Sequence, residues 1–296
     1  MKYTGTAYRP PFEAWSVLLQ ATQGCSHNRC AFCTMYRDIP FRTESLEQID
    51  SDLREAAALY PHRKRVFLLS GDAFALKADT LLAIVERVHA RLPGVETISM
   101  YASVKNIRSK SDEELRALRG AGIDQPNIGL ESGLDETLAA MRKGYDRAEA
   151  ERQLGRLNGA GMDFSVNVIL GGAGRENSLR HAEATASLLN EVEPYLIFTG
   201  TMHPEEGSPM HADMLAGRFG ECTIGEYLDE EERFIEALDP FDCLYFGMHP
   251  SNVVQIRGYL SEDKESLLEG VRARRAQLAG HLSEKPKRGR EGAFMV

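Results

Sequence analysis

Five cysteines and one tryptophan in 296 residues are few. A disulfide-stapled secreted scaffold, short and Cys-dense with an even cysteine number, is therefore excluded. No run of 18 apolar residues exists, so no transmembrane helix is expected and no membrane partner. The opening stretch MKYTGTAYRPPFEAW lacks the apolar core of a signal peptide, and a cytoplasmic location is expected. Low-complexity segments and exact repeats are missing too. So is any excess of basic residues: 35 Lys and Arg face 44 Asp and Glu, for a net charge of −9. A broad nucleic-acid footprint needs a basic face, so that partner is not favoured. What is left is an ordinary globular composition, 43% hydrophobic and 27% charged, at a length that suits one barrel-type domain.

The apolar residues have a rhythm. β-Branched runs occur at 16–21, 65–70, 96–101, 126–130, 164–170 and 195–199, after the first at intervals of roughly one βα unit. Continuous apolar strands of this kind suit a parallel sheet covered on both faces. Helical patterns fill the gaps. Asp79 is an expected N-cap, Ser111 with Glu114 an expected capping box, and further helices are expected over 146–158, 178–191, 226–238 and 263–278. Six strand–helix units give an α/β fold, a partial (β/α)6 TIM-like barrel with a short α-rich C-terminal extension. The expected division is a core over 1–215, an extension over 216–282 that is irregular at 239–259, and a disordered tail over 283–296.

Three of the five cysteines crowd into GCSHNRCAFCTMYR, directly after the first strand, as Cys25-x4-Cys30-x2-Cys33. Three thiolates can hold three irons of a [4Fe–4S] cube and leave the fourth open to a substrate. Structural zinc, with His27 or a distant cysteine as fourth ligand, is the rival reading. Zinc sites usually pair two C-x-x-C halves, and no second half is present. Cys222 and Cys243 are too few for an auxiliary cluster and read as ordinary buried thiols.

With Phe32 just before its last cysteine, this motif resembles the radical S-adenosylmethionine (radical SAM) superfamily, in its Elongator-like and oxygen-independent coproporphyrinogen-oxidase-like branch. One residue more than the commonest family spacing stands in the first gap. The resemblance covers roughly residues 10–215. Ser70-Gly71-Asp72 stands where the family has a turn meeting the amino group of SAM. Ile128-Gly129-Leu130-Glu131-Ser132-Gly133 is similar to the element whose carboxylate contacts the ribose hydroxyls. The segment 166–172, with Asn167, Ile169 and Gly171, resembles the stretch along the adenine, and 204–210 resembles a segment after strand six. The resemblance implies a [4Fe–4S] cluster and SAM as cofactors, and a flavodoxin or ferredoxin as electron donor. It also implies reductive cleavage of SAM to methionine and a 5′-deoxyadenosyl radical that takes a hydrogen atom from substrate.

Substrate candidates are loop residues after strands or after the cysteine loop: Tyr36, Tyr101, His203, His249 and Asn252. Arg142 and Lys143 can meet the SAM carboxylate or form a solvated helix face, and Arg175-Glu176 can hold a charge or form a solvated pair. The cations 272, 274, 275, 285, 287, 288 and 290 are the one basic concentration. The expected function is radical chemistry on a small molecule. Modification of tRNA or protein is the alternative, and a non-catalytic metal or Fe–S carrier a third reading.

Overall fold

The structure, a computed structural model, describes residues 1–289 and 294–295. The apolar runs form strands β1 (Val17–Gln20), β2 (Arg65–Leu69), β3 (Thr97–Ala102), β4 (Asn127–Glu131), β5 (Ser165–Leu170) and β6 (Leu196–Thr201). Between them lie helices α1 (Leu46–Leu59), α2 (Ala78–Arg91), α3 (Asp112–Gly120), α4 (Arg147–Gly159) and α5 (Ser178–Val192). After β6 come α6 (Ile224–Ala237), the short strands β7 (Leu244–Phe246) and β8 (Arg257–Tyr259), and α7 (Leu260–Gln277).

The chain divides into two compact units. One comprises Met1–Asn28, Met35–Gly129 and Arg152–Phe164; the other comprises Arg29–Thr34, Leu130–Glu151 and Ser165–Val296. In the first, β1, β2 and β3 are parallel, with Val17 opposite Val66 and Val66 opposite Ile98, and β3 meets the start of β4 at Tyr101 and Asn127. Phe67 and Leu68 of β2 have no exposed surface, nor have Ile49 and Leu53 of α1, Leu81 and Val88 of α2, or Leu115 and Leu118 of α3. That buried apolar surface holds the layers together, at about 25 cal/mol per Å². A two-residue antiparallel ladder of Thr22–Gln23 with Arg42–Thr43 closes the segment that carries the cysteines.

In the second unit β5, β6 and β7 are parallel and β8 is antiparallel to β7. Helix α6 packs on α5 and on α7. The residues expected as a C-terminal extension thus share a unit with β5 and β6.

Local signals act as their chemistry dictates. Ser111 Oγ accepts from the Glu114 amide and Glu114 Oε2 from the Ser111 amide, closing the expected capping box. Helix α2 departs from expectation: its cap is Lys77, and Asp79 lies inside the first turn. Burial of Ala78 and Leu81 sets that register, and Asp79 still faces the positive end of the helix dipole. The segment 239–259 is not wholly irregular, since it holds β7 and β8, whose three residues each are too short to show a period. In the tail, Lys287–Arg288 pairs with Phe294–Met295, while residues 290–293 and 296 lie outside the described residues. Among the described residues no helix is long and apolar enough to cross a membrane.

One buried carboxyl makes the second unit sensitive to pH. Glu231 of α6 is 2% exposed and accepts from the Tyr245 hydroxyl at 2.7 Å. Burial first, then the neighbouring Glu230, pushes its pKa up to about 8. A carboxyl protonated in the fold and ionised when unfolded contributes stability at low pH and loses it as pH rises through the folded value. Glu231→Gln is expected to abolish a loss of up to roughly 1.4 kcal/mol per pH unit between about pH 5 and 8. Denaturant midpoints across that range check it: variant and wild type should diverge as pH rises.

Candidate active site

The cysteine loop is fastened at both of its parts. In the first unit, Gly71 donates its amide to Gly24 O at 3.0 Å. A Cβ on Gly71 would stand 2.7 Å from Cys25 Cβ, so only glycine lets the turn after β2 approach Cys25. Asp72, 2% exposed, accepts from the Ser26 amide at 2.8 Å and from the Ser26 hydroxyl, and Asn106 Nδ2 lies 3.4 Å away. Burial raises the Asp72 pKa, with the Ser26 bonds opposing. The Asp72 carboxylate, singled out in the sequence for the SAM amino group, thus holds the residue after Cys25. His27 Nδ1 lies 3.2 Å from Lys105 Nζ.

In the second unit the rest of the loop is laced in as well. Ala31 donates to Met141 O and accepts from the Met210 amide, both at 2.9 Å. Thr34 donates its amide to Glu205 Oε2 at 2.8 Å, and its hydroxyl to the same oxygen. Phe32 packs with Ile169 and Phe219 against buried Ala31, Met141, Met202 and Met210. Cys25, Cys30 and Cys33 are half-buried and none of the five cysteines is in a disulfide. Among the described residues no three His, Cys, Asp or Glu side chains form a ready mononuclear metal site. Ligands of a cube need no common point, because each thiolate takes its own iron.

Two strand ends are strained where the motif reading places SAM. Ser70 after β2 has φ +89° and Glu131 at the end of β4 has φ +71°. Such backbone in a non-glycine residue collects at functional sites. Glu131 is buried and takes an ion pair from Lys143 Nζ at 3.0 Å. Burial would lower the Lys143 pKa, but Glu131, Tyr145 and Cys30 outweigh it and hold the ammonium well above its ordinary value. Lys143 is therefore neither a solvated helix face nor a spare cation. Ser132 is buried, its hydroxyl accepting from the Leu134 amide. Among the described residues the buried Asn167 Oδ1 has no hydrogen-bond partner, in the stretch that by resemblance is expected to lie along the adenine. Gly171, φ +75°, donates to Glu230 Oε1 at 2.9 Å, and a Cβ there would run into the Tyr227 ring at 2.2 Å.

The substrate candidates fall into two groups. In the first unit Tyr36 stacks edge-on with Tyr8, and Tyr101 with Phe67, while burial, then Tyr36, raises the Tyr101 pKa. In the second unit Asn252 donates to Thr199 O and Gly247 O and accepts from the Thr201 hydroxyl, so its amide is fully used in holding β6. His249 Nδ1 lies 2.6 Å from the Ser251 hydroxyl, and exposed His203 follows β6. Burial, then Arg288, lowers the pKa of both histidines. Arg175 pairs with exposed-side Glu226 at 2.7 Å. Burial raises the pKa of fully buried Cys222 and Cys243 and keeps them thiols.

Several residues of this arrangement carry no sequence signal. Glu230 sits in the run DEEERF, which reads as a solvated face, yet it is fully buried against His181 at 2.8 Å. Glu205 reads as a loop acid. Only tertiary contacts reveal either.

The model of the Radical SAM superfamily matches residues 19–184, and the chain belongs to that superfamily. It is an enzyme of the radical SAM class, and the expected cofactors, a [4Fe–4S] cluster and SAM, are those of the class. A relative, the tRNA-2-methylthio-N(6)-dimethylallyladenosine synthase of Marinomonas sp. (strain MWYL1), is 28% identical over 175 residues, 55% of this chain and 37% of its own. Among solved structures, methylornithine synthase (PylB) superposes with a TM-score of 0.56 at 14% identity, over 86% of this chain and 68% of its own. The radical SAM methyltransferase TsrM of Kitasatospora setae, solved with cobalamin and a [4Fe-4S] cluster, gives 0.54 at 18% identity, over 68% of this chain and 39% of its own. These likenesses show the fold, the α/β partial-barrel type expected from the strand rhythm. The chain spans less than half the length of the Marinomonas relative and of TsrM.

The Glu131–Lys143 pair yields a direct test. Lys143→Ala leaves a buried carboxylate without its cation, which is expected to cost about 3–5 kcal/mol. Glu131→Gln with Lys143→Met should recover most of that loss. Urea denaturation of the three proteins decides; a single mutant as stable as wild type would contradict the pairing.

Proposed function

We propose that Cys25, Cys30 and Cys33 hold a [4Fe–4S] cluster at which SAM is cleaved reductively, and that the resulting radical acts on a small molecule. The observation that carries this reading is the trio of half-buried thiols, outside any disulfide, in a loop fastened by Asp72, Glu205 and Met141. The donor set fits the group: thiolates for three irons, one buried acceptor left open at Asn167, and a carboxylate at a strained strand end. When bound, the cluster supplies the electron that divides SAM into methionine and a 5′-deoxyadenosyl radical.

The chain's own residues bind and orient. Glu131 accepts from the ribose hydroxyls, with the Lys143 ammonium paired to its carboxylate and holding it in place. Ser70 and Gly71 offer backbone groups to the amino end of SAM, and Asp72 holds that turn against Ser26. Asn167 Oδ1 accepts from the adenine amine, while Ile169 and Gly171 flank the ring. Ser132 keeps the turn after Glu131 in shape, and Phe32 with the buried methionines keeps water from the loop. Tyr36 and Tyr101 of the first unit, and His203 and His249 of the second, are the candidates for substrate contact. Exposure of free thiols suits a reducing cytoplasm with a flavodoxin or ferredoxin as donor.

Modification of tRNA is the second reading, favoured by the name of the Marinomonas relative. Against it, two arginines of α7 are matched by acids: Arg272 pairs with Glu232 and Glu236, and Arg275 with Asp229. Anaerobic reconstitution with iron and sulfide, reduction with dithionite and addition of SAM is expected to release 5′-deoxyadenosine. A Cys30→Ala protein should release none, and wild type no better than that variant would end the proposal. RNA retained through purification at moderate salt would turn the substrate assignment to the second reading.

A further inference from the structure

Arg288 stands out among the cations because it is half-buried and has no carboxylate partner among the described residues. The guanidinium lies over the Tyr227 ring, 5.9 Å from its centroid. One terminal nitrogen, Nη1, donates to Ser251 O at 2.5 Å. The other two, Nε and Nη2, are buried and find no hydrogen-bond acceptor among the described residues. No carboxylate among those residues pairs with it; the Tyr227 hydroxyl is the first group to favour its charge, and Glu221 the next. A cation with unmet buried donors is unfavourable, so such a group is kept where something else completes it.

Its surroundings point to what that is. Nε and Nη2 form one edge of the planar group, the side-on fork that takes two oxygens of a carboxylate or phosphate at once. Ser251, which Arg288 holds through its carbonyl, also bonds His249 Nδ1 and accepts from the Thr201 amide at the end of β6. His203 follows the same strand end, and both histidines feel the Arg288 charge. The His249 ring faces Phe198 edge-on. The cation fork and the His249 imidazole are therefore joined through Ser251 after the C-terminal ends of β6 and β7, beside the Phe198 and Tyr227 rings, and His203 follows the same end of β6. In parallel α/β folds ligands are bound at that end of the strands.

We infer that Arg288, flanked by His203 and His249, is an oxyanion subsite that takes the carboxylate or phosphate of the substrate through Nε and Nη2. This inference rests on the radical SAM reading for the identity of the ligand as substrate, and it names the substrate class: a small anionic molecule. The tail strand that brings Arg288 to the site thereby becomes part of substrate recognition rather than an appendage.

Thermal midpoints of the anaerobically reconstituted chain in sodium phosphate or sodium succinate, against sodium chloride at equal ionic strength, provide the test. At least one oxyanion should raise the midpoint in a saturable way, and its apparent Kd should weaken at least about tenfold in Arg288→Gln. Arg288→Lys, which keeps the charge and loses the fork, should fall between. A response to phosphate alone marks a phosphorylated substrate, and a response to succinate alone a carboxylate. NMR titration of the imidazoles should show the His203 and His249 pKa values rising in Arg288→Gln, a readout that a merely structural role for the strand would not give. No oxyanion effect, an effect equal in Arg288→Gln, unmoved histidines, or an effect abolished by saturating SAM would each overturn the inference. None of these readings uses 5′-deoxyadenosine formation. A chain that binds the anion yet releases no 5′-deoxyadenosine sinks the proposed reaction and leaves the subsite.

Discussion

A buried carboxylate with one cation to balance it governs the end of the fourth strand. Glu131 is held by Lys143 at 3.0 Å, in a backbone conformation that a non-glycine residue adopts only when its surroundings insist. Two charges taken out of water are not a stabilising luxury. Their desolvation roughly offsets their attraction, and what the pair provides is a fixed position for an ionised acceptor. Tyr145, whose hydroxyl donates to Leu130 O, and the nearby Cys30 share that field. The strand end, the turn at 141–146 and one cysteine of the loop are thereby tied into a single electrostatic arrangement.

The same logic recurs around it with different residues. Asp72 uses both oxygens to hold Ser26 beside Cys25, and Glu205 holds the amide and hydroxyl of Thr34 beside Cys33 with one oxygen. Glu230, from a helix well after the last core strand, reaches Gly171 and His181. In each case a carboxylate satisfies a backbone amide, in the cysteine loop for Asp72 and Glu205 and directly after β5 for Glu230. Catalytic loops need such bracing, because positioning errors of about 1 Å are enough to cost much of the rate. The C-terminal residues 216–289 contribute to the bracing through Glu230 and Tyr227, and so are more than a cover for the core.

Much of the frame was legible in the amino-acid order. Six apolar runs foretold β1–β6 to within two residues at each end, because buried parallel strands need uninterrupted apolar sequence. Ser111 and Glu114 foretold a capping box, since their side chains have no better partners than the local amides. The cysteine spacing and the turns after it foretold the superfamily. What stayed hidden depends on distant partners. Glu230 and Glu231 lie in an acidic run indistinguishable from a solvated face, Lys143 reads equally as a ligand-facing cation or a solvated one but not as the partner of Glu131, and β7 and β8 are too short for periodicity to register. Arg288 lies among tail lysines and arginines whose pattern suggests only charge. Its role comes from Ser251, Tyr227 and two histidines that the chain brings to it.

The central claim concerns the three thiolates. Mössbauer spectroscopy on the anaerobically reconstituted chain, with iron, sulfide and zinc analysis, tests it most directly. The account requires about four irons and four sulfides per chain, with one iron distinct from the rest and shifted on addition of SAM. Zinc in place of iron, or a cluster whose irons are all equivalent and indifferent to SAM, would contradict it.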